Sequence, residues 1–329
     1  MNEHFTGVAS DPREDIKVKN GWSVDEVLAA SAPVNWTKKD DTELVRYPIW
    51  NQHWSSACVA FSKAKQLSIK ILELTGVWID FSPASIYQLR SNKPSLGMHI
   101  SDANDIVNKR GATLEALMKS QGLTEDEINS VKRTKVADLF AKAIAEAVVA
   151  YLYVPIGIDR IAQVIESKKA VSLLVFSDYD EYARSVPEVR NYNLTYAEAP
   201  IKHEIVAVDY FLNRNGEKRL LINDSAHFGN LAVREFTEEF LLKRCVLADV
   251  IDVFSFEGIE KPRYDGSIIS LQKCLAFEGL FPNNVDFVEA FGQITQNAVM
   301  KFQVKYGLHT TGVPNVGPKT KLKLLELYP

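Results

Sequence analysis

The strongest chemical reading of this 329-residue chain rests on Cys58. It opens the segment CVAFSKAKQLSIKILEL, where Val59, Phe61, Ala64, Leu67, Ile71 and Leu74 recur at three- and four-residue spacing. That spacing predicts a core-facing helix over 58–74. A thiol at a helix N-terminus feels the positive end of the macrodipole, which favours the thiolate. Gln52, six residues upstream, lies in a loop that must fold back on the helix start. Its amide can join the Cys58 backbone N–H as a pair of donors to an oxyanion. The two residues together suit nucleophilic attack on a carbonyl. Cys245 and Cys274 lack such a setting and read as small buried hydrophobes. Three scattered cysteines form no disulfide framework, and the odd count leaves a free thiol.

The elements that must position these groups follow from pattern. Residues 1–31 read as an irregular arm with one short amphipathic segment, 24–30. Ser82-Pro83 marks a helix start, with Ser as N-cap and Pro in the first turn. Residues 102–109 predict another helix, ended by Gly111. Residues 114–150, rich in Lys, Glu and Ala, read as helical. AVSLLVF (170–176) and HEIVAVDYF (203–211) predict strands, the second apolar on both faces. A turn over 213–216 returns the chain as RLLIND (219–224). Helices first and strands after indicate an α+β domain in two lobes. A polar stretch with Gly and Pro, 256–264, predicts a linker. Beyond it lie three short amphipathic helices, with Leu271, Leu275, Val299, Phe302, Leu308 and Leu322 expected as their core.

Specific motifs carry a resemblance. NQ-x5-CVAFS (51–62) resembles the NQ-x5-CWAFS segment of papain-like cysteine peptidases, and APVNW (32–36) resembles its lead-in. FSPASIYQL, GMHISDANDIVNKRG, HEIVAVDY and LLINDSAHFG are similar to further family segments, in family order, across roughly residues 32–250. His203 follows Cys58 by 145 residues, within the family's usual gap of ~130–150. The resemblance implies a bilobal domain over 32–255, a helical lobe beside an antiparallel β lobe. It implies Cys58 as nucleophile, His203 as base and later acid, and Gln52 as oxyanion donor. The residue that orients the imidazole falls on Asp224, or on Asn223 if the strand slips by one. Gly97 and Met98 stand where the family's loop offers backbone to an extended substrate. There are departures. Val59 and Ala226 replace family tryptophans, with His227 or Phe228 left to shield the site. Ser55 replaces a disulfide cysteine, and the arm is far shorter than a typical inhibitory propeptide, which speaks against zymogen control.

Residues 265–329 resemble a three-helix peptidoglycan-binding module, through DGSIISLQKCLAFEGLF, FGQITQNAVMKFQVKYGL and TGVPNVGPKTKLKLL. The resemblances imply a thiol peptidase acting on a protein, a peptide or peptidoglycan stem peptides, and held at the cell wall. The alternative is a binding protein with a degenerate peptidase lobe. A net charge of -4 gives no reason to expect nucleic acid or an anionic membrane as partner. No signal peptide or transmembrane segment is legible, so the chain as written reads as cytoplasmic. A monomer is expected, and neither metal nor cofactor is implied: His4, His53, His99 and His309 have no ligand spacing.

Overall fold

The computed structural model describes residues 7–8, 34–37, 47–167, 169–227, 231–253, 263–278, 280–281, 287–308 and 316–328. The expected segment 24–30 and most of the expected linker lie outside these residues.

Helix α1, Cys58–Thr75, buries Phe61, Ala64, Leu67 and Ile71, and ends at Gly76. Gly76 has a φ of 71° and returns its N–H to the Leu72 carbonyl, a turn that a side chain would strain. The helix is buried on its polar side too, because Lys63, Gln66 and Ser68 face inward. Around it the helical lobe adds α2 (Pro83–Tyr87), α3 (Ile100–Arg110), α4 (Glu125–Ser130) and α5 (Lys135–Ala147). Ser82 caps α2 as its sequence predicts, accepting from the Ser85 N–H. Thr124 and Glu127 form a reciprocal capping box on α4.

The β lobe is one six-stranded antiparallel sheet in the order β1-β6-β2-β3-β4-β5. Its strands are β1 (Val148–Tyr153), β2 (Val171–Ser177), β3 (Ile201–Leu212), β4 (Lys218–Asn223), β5 (Val233–Phe236) and β6 (Cys245–Val253). Helices α6 (Ile158–Glu166), α7 (Tyr179–Tyr182) and α8 (Glu238–Arg244) complete the lobe. On β3, Ile205 and Ala207 enter a core shared with α6 and α8, whereas Val206 and Val208 pack with Ile69 of α1. Both faces are buried, as the apolar run predicts.

The helical reading of 114–150 is corrected. Leu114 bridges to Phe81, two short helices follow, and Val148–Tyr153 is a strand. Pairing with β6, Tyr151 opposite Ile251, overrides the helical composition at that end.

Residues beyond 263 form α9 (Ile268–Phe277), α10 (Gln293–Lys305) and α11 (Pro318–Leu327) over a separate core of Leu271, Leu275, Val299, Phe302, Leu324 and Tyr328. Leu308 is partly buried there, but Leu322 is 68% exposed. Leu324 holds the core position, and two residues along a helix turn a side chain by about 200°. Gln272 and Gln303 are internal staples. Gln272 donates to the Ala290 carbonyl and the Thr295 hydroxyl and accepts from the Val288 N–H; Gln303 donates to Thr320.

Lys63 is wholly buried and meets both Asp249 of β6 and Glu204 of β3. Lys63→Met should therefore lower stability by about 3–5 kcal/mol, since it strands two carboxylates without their cation. Urea unfolding measures this, and a loss below about 1 kcal/mol would show that water reaches the cluster.

Candidate active site

The loop before α1 is pinned at both ends. The Gln52 N–H donates to the Ser225 carbonyl at 2.9 Å, and the Ser56 N–H donates to Glu125 at 2.8 Å. The Gln52 amide is itself held: its oxygen accepts from the Ser225 hydroxyl at 2.7 Å, and its nitrogen donates to the Ser55 carbonyl at 2.9 Å. An amide nitrogen carries two protons, so a second N–H remains for another acceptor. His53 takes a φ of 50° to complete the turn. Helix α1 then starts at Cys58 with no side-chain cap and no acidic residue in its first turn. The positive helix end is thus left to the thiol.

His203, near the start of β3, faces Asp224 at the end of β4, with Nε2 to Oδ1 at 2.8 Å. Cys58, at the start of α1, is the next group after Asp224 that acts on the ring. Burial alone would lower the His203 pKa, but Asp224's charge and hydrogen bond, followed by those of Cys58, push it up to about 10. Burial would raise the Asp224 carboxyl; His203 and then Arg234 instead hold it well below the usual carboxylate range. Of the two sequence candidates for this place, the structure brings Asp224 to the imidazole. Asn223 lies in the β4 ladder opposite Val206 and Val233.

Gly97, with a φ of 75°, gives its N–H to the Tyr87 hydroxyl. Met98 gives its N–H to the Gly7 carbonyl at 3.1 Å, and Val8 bridges Met98 in parallel. A Cβ added to Gly7 would lie 2.4 Å from the Cys58 sulfur. Gly7 therefore lies directly against the thiol. Cys58 is fully buried.

Solved structures share this arrangement of chain. Xylellain, a cysteine protease from Xylella fastidiosa, aligns with a TM-score of 0.59 at 14% identity, over 77% of this chain and 97% of its own. Procathepsin B S9 from Trypanosoma congolense gives 0.53 at 12% identity, over 77% and 87%. Digestive procathepsin L 3 of Tenebrio molitor gives 0.50 at 13%, over 73% and 79%. The larger part of the chain has the papain-like fold. Residues 265–323 match the model of a putative peptidoglycan binding domain. No curated protein sequence matches the chain.

Within this papain-like fold two neighbours of the site escaped the sequence reading. Arg234, fully buried on β5, donates from Nε to Asp224 Oδ2 at 2.7 Å, and the Tyr182 hydroxyl donates to the same oxygen at 3.0 Å. Burial and then Asp224's charge hold the Tyr182 phenol well above its ordinary range, so it stays a donor. The one available signal was alternation: Arg234 shares a strand face with buried Phe236, where a charge needs a partner. Tyr182 also stands edge-on to the His203 ring, with centroids 6.0 Å apart. His227 instead bonds the Trp50 carbonyl. Phe228 lies outside the described residues.

Two outcomes follow from this geometry. Folding raises His203 from 6.5 and depresses Asp224 from 3.8, so both contributions to stability are full between those values. His203's share fades as pH rises through about 10, and Asp224's as pH falls below 3.8. Thermal unfolding across pH should show this plateau, and Asp224→Asn should remove the slow alkaline decline. Separately, Gly7→Leu cannot seat against the sulfur. It should speed iodoacetamide labelling of Cys58 by about tenfold or more, the factor that 1.4 kcal/mol of lost seating supplies. An unchanged rate would mean that the arm leaves the thiol freely.

Proposed function

We propose that this chain is a thiol peptidase that hydrolyses amide bonds of extended peptides, with residues 265–329 holding it at the cell wall. The observation that carries the reading is the line from Cys58 through His203 to Asp224, drawn at the uncapped start of α1 beside an immobilised Gln52 amide. In the reacting form Cys58 has passed its proton to His203. The thiolate attacks the carbonyl, and the oxyanion is received by the free N–H of Gln52 and the Cys58 backbone N–H. His203 gives its proton to the leaving amine, forming a thioester, then takes a proton from water to release the acid. Asp224 fixes the ring so that one nitrogen always faces the sulfur.

Strand-like pairing of Met98 with the chain's own Gly7 and Val8 supports Gly97 and Met98 as the edge on which a substrate backbone lies. Such pairing reads main chain, which suits a peptide or protein. The match at 265–323 supports a substrate near peptidoglycan, either a wall protein or the peptide stem itself.

Cys58→Ala should abolish amide hydrolysis while leaving thermal unfolding within a few degrees of the parent. Retention of a tenth of the rate would place the nucleophile elsewhere, and an inactive but peptide-binding parent would make the lobe a binding domain. The full chain should sediment with insoluble peptidoglycan and residues 1–255 should not; equal sedimentation would remove the wall role from the module.

A further inference from the structure

Arg234 is an expensive residue to bury. Its guanidinium is fully shielded from water, a placement that costs several kcal/mol without a partner. Nε meets Asp224 at 2.7 Å, one terminal nitrogen donates to the carbonyls of Tyr182 and Arg184 at 2.7 Å each, and the group lies 4.1 Å above the Tyr182 ring. Asp224 is correspondingly saturated. Oδ1 accepts from His203 and the Ala226 N–H, and Oδ2 from Arg234 and Tyr182. Its orientation is over-determined, and its charge is locked in a dry site.

A carboxylate in that position has a drawback for the proposed reaction. Next to an imidazolium it favours the charged form, and an imidazolium too strongly held is a poor acid for the leaving amine. We propose that Arg234 is a positioning residue that offsets part of Asp224's charge, so that His203 meets a fixed acceptor weaker than a bare carboxylate. The formal charges of thiolate, imidazolium, carboxylate and guanidinium then cancel, as they would with a neutral amide at 224 and no arginine. Among the described residues the groups facing His203 are Cys58 from α1, Tyr182 from α7 and Asp224, with Arg234 behind Asp224. Glu204, the next residue on β3, turns to Lys63 on the opposite face.

This inference rests on the peptidase reading for its kinetic consequence but not for its physical one, so two measurements are needed on the full chain. The first is the titration of His203 by NMR of labelled imidazole. Arg234→Met should move its midpoint up by about one unit or more, and Asp224→Asn should move it down, opposite charges within 4–6 Å shifting a group by ~1–3 units. The double variant should titrate above Asp224→Asn by a step similar to that between the parent and Arg234→Met, and Arg234→Lys, which keeps the charge, should stay near the parent. The second is turnover. Arg234→Met should slow amide substrates at least about tenfold more than activated esters, whose leaving group needs no proton. The double variant should be faster on amides than Asp224→Asn alone, which strands a buried guanidinium. Unmoved titration in Arg234→Met, with the double variant level with Asp224→Asn, would overturn the proposal and leave Arg234 a strut. If Arg234→Met fails to fold, Arg234→Lys and the double variant still decide it: a double-variant midpoint displaced as far as that of Asp224→Asn is the overturning result. Correct titrations without any hydrolysis by the parent would instead sink the peptidase reading and spare this one.

Discussion

Everything at the candidate site hangs on one buried cation. Lys63 sits five residues after Cys58 on α1, about 7.5 Å along the axis. It reaches Glu204, the residue after His203 on β3, at 3.0 Å, and also meets Asp249 of β6. The two chemical groups therefore ride on elements tied together one residue and five residues away from them. Gln66 adds bonds to the carbonyls of Ala170 and Asp249, and Asn104 of α3 bonds the second oxygen of Asp249. A greasy interface between helix and sheet would tolerate sliding by a fraction of a turn. A charge cluster with fixed partners does not, because each displaced group would face apolar surroundings unpaired.

The same logic repeats within the β lobe. Glu181 of α7 takes Arg244 of α8 in a two-pronged pair and accepts the N–H groups of Arg190 and Asn191. This secures α7, hence Tyr182, and hence one of the four bonds on Asp224. Orientation of the imidazole is thus transmitted from a second buried carboxylate, without any contact between Glu181 and the reacting groups.

Much of this was legible in sequence, and what was not has a common cause. The helix after Cys58, strands β2, β3 and β4, the turn between the last two and the three terminal helices declare themselves by local pattern. Cys58, His203 and Gln52 declare themselves by the motifs around them. Pattern favours Asp224 but leaves Asn223 open to a slip of one residue, since adjacent residues along a strand take opposite faces, and that depends on register with β3 and β5. Residues 148–150, the start of β1, read as helix because the partner strand lies about a hundred residues downstream. Arg234, Tyr182 and Lys63 look like ordinary polar residues until a fold surrounds them. Leu322 was misplaced by a helix phase that the apolar residues 322, 324 and 325 leave ambiguous.

Gly7 remains, resting on the sulfur without a side chain. A segment of the same molecule competes for a cleft as though present at a fixed local concentration, on the order of millimolar for a short tether. Dilution does not weaken such a competitor, and more protein does not strengthen it. On the proposed reading, an incoming peptide meets a threshold set by the tether and, among the described residues, by the hydrogen bond from Met98 to Gly7. A crowded, peptide-rich surface would cross that threshold sooner than dilute solution.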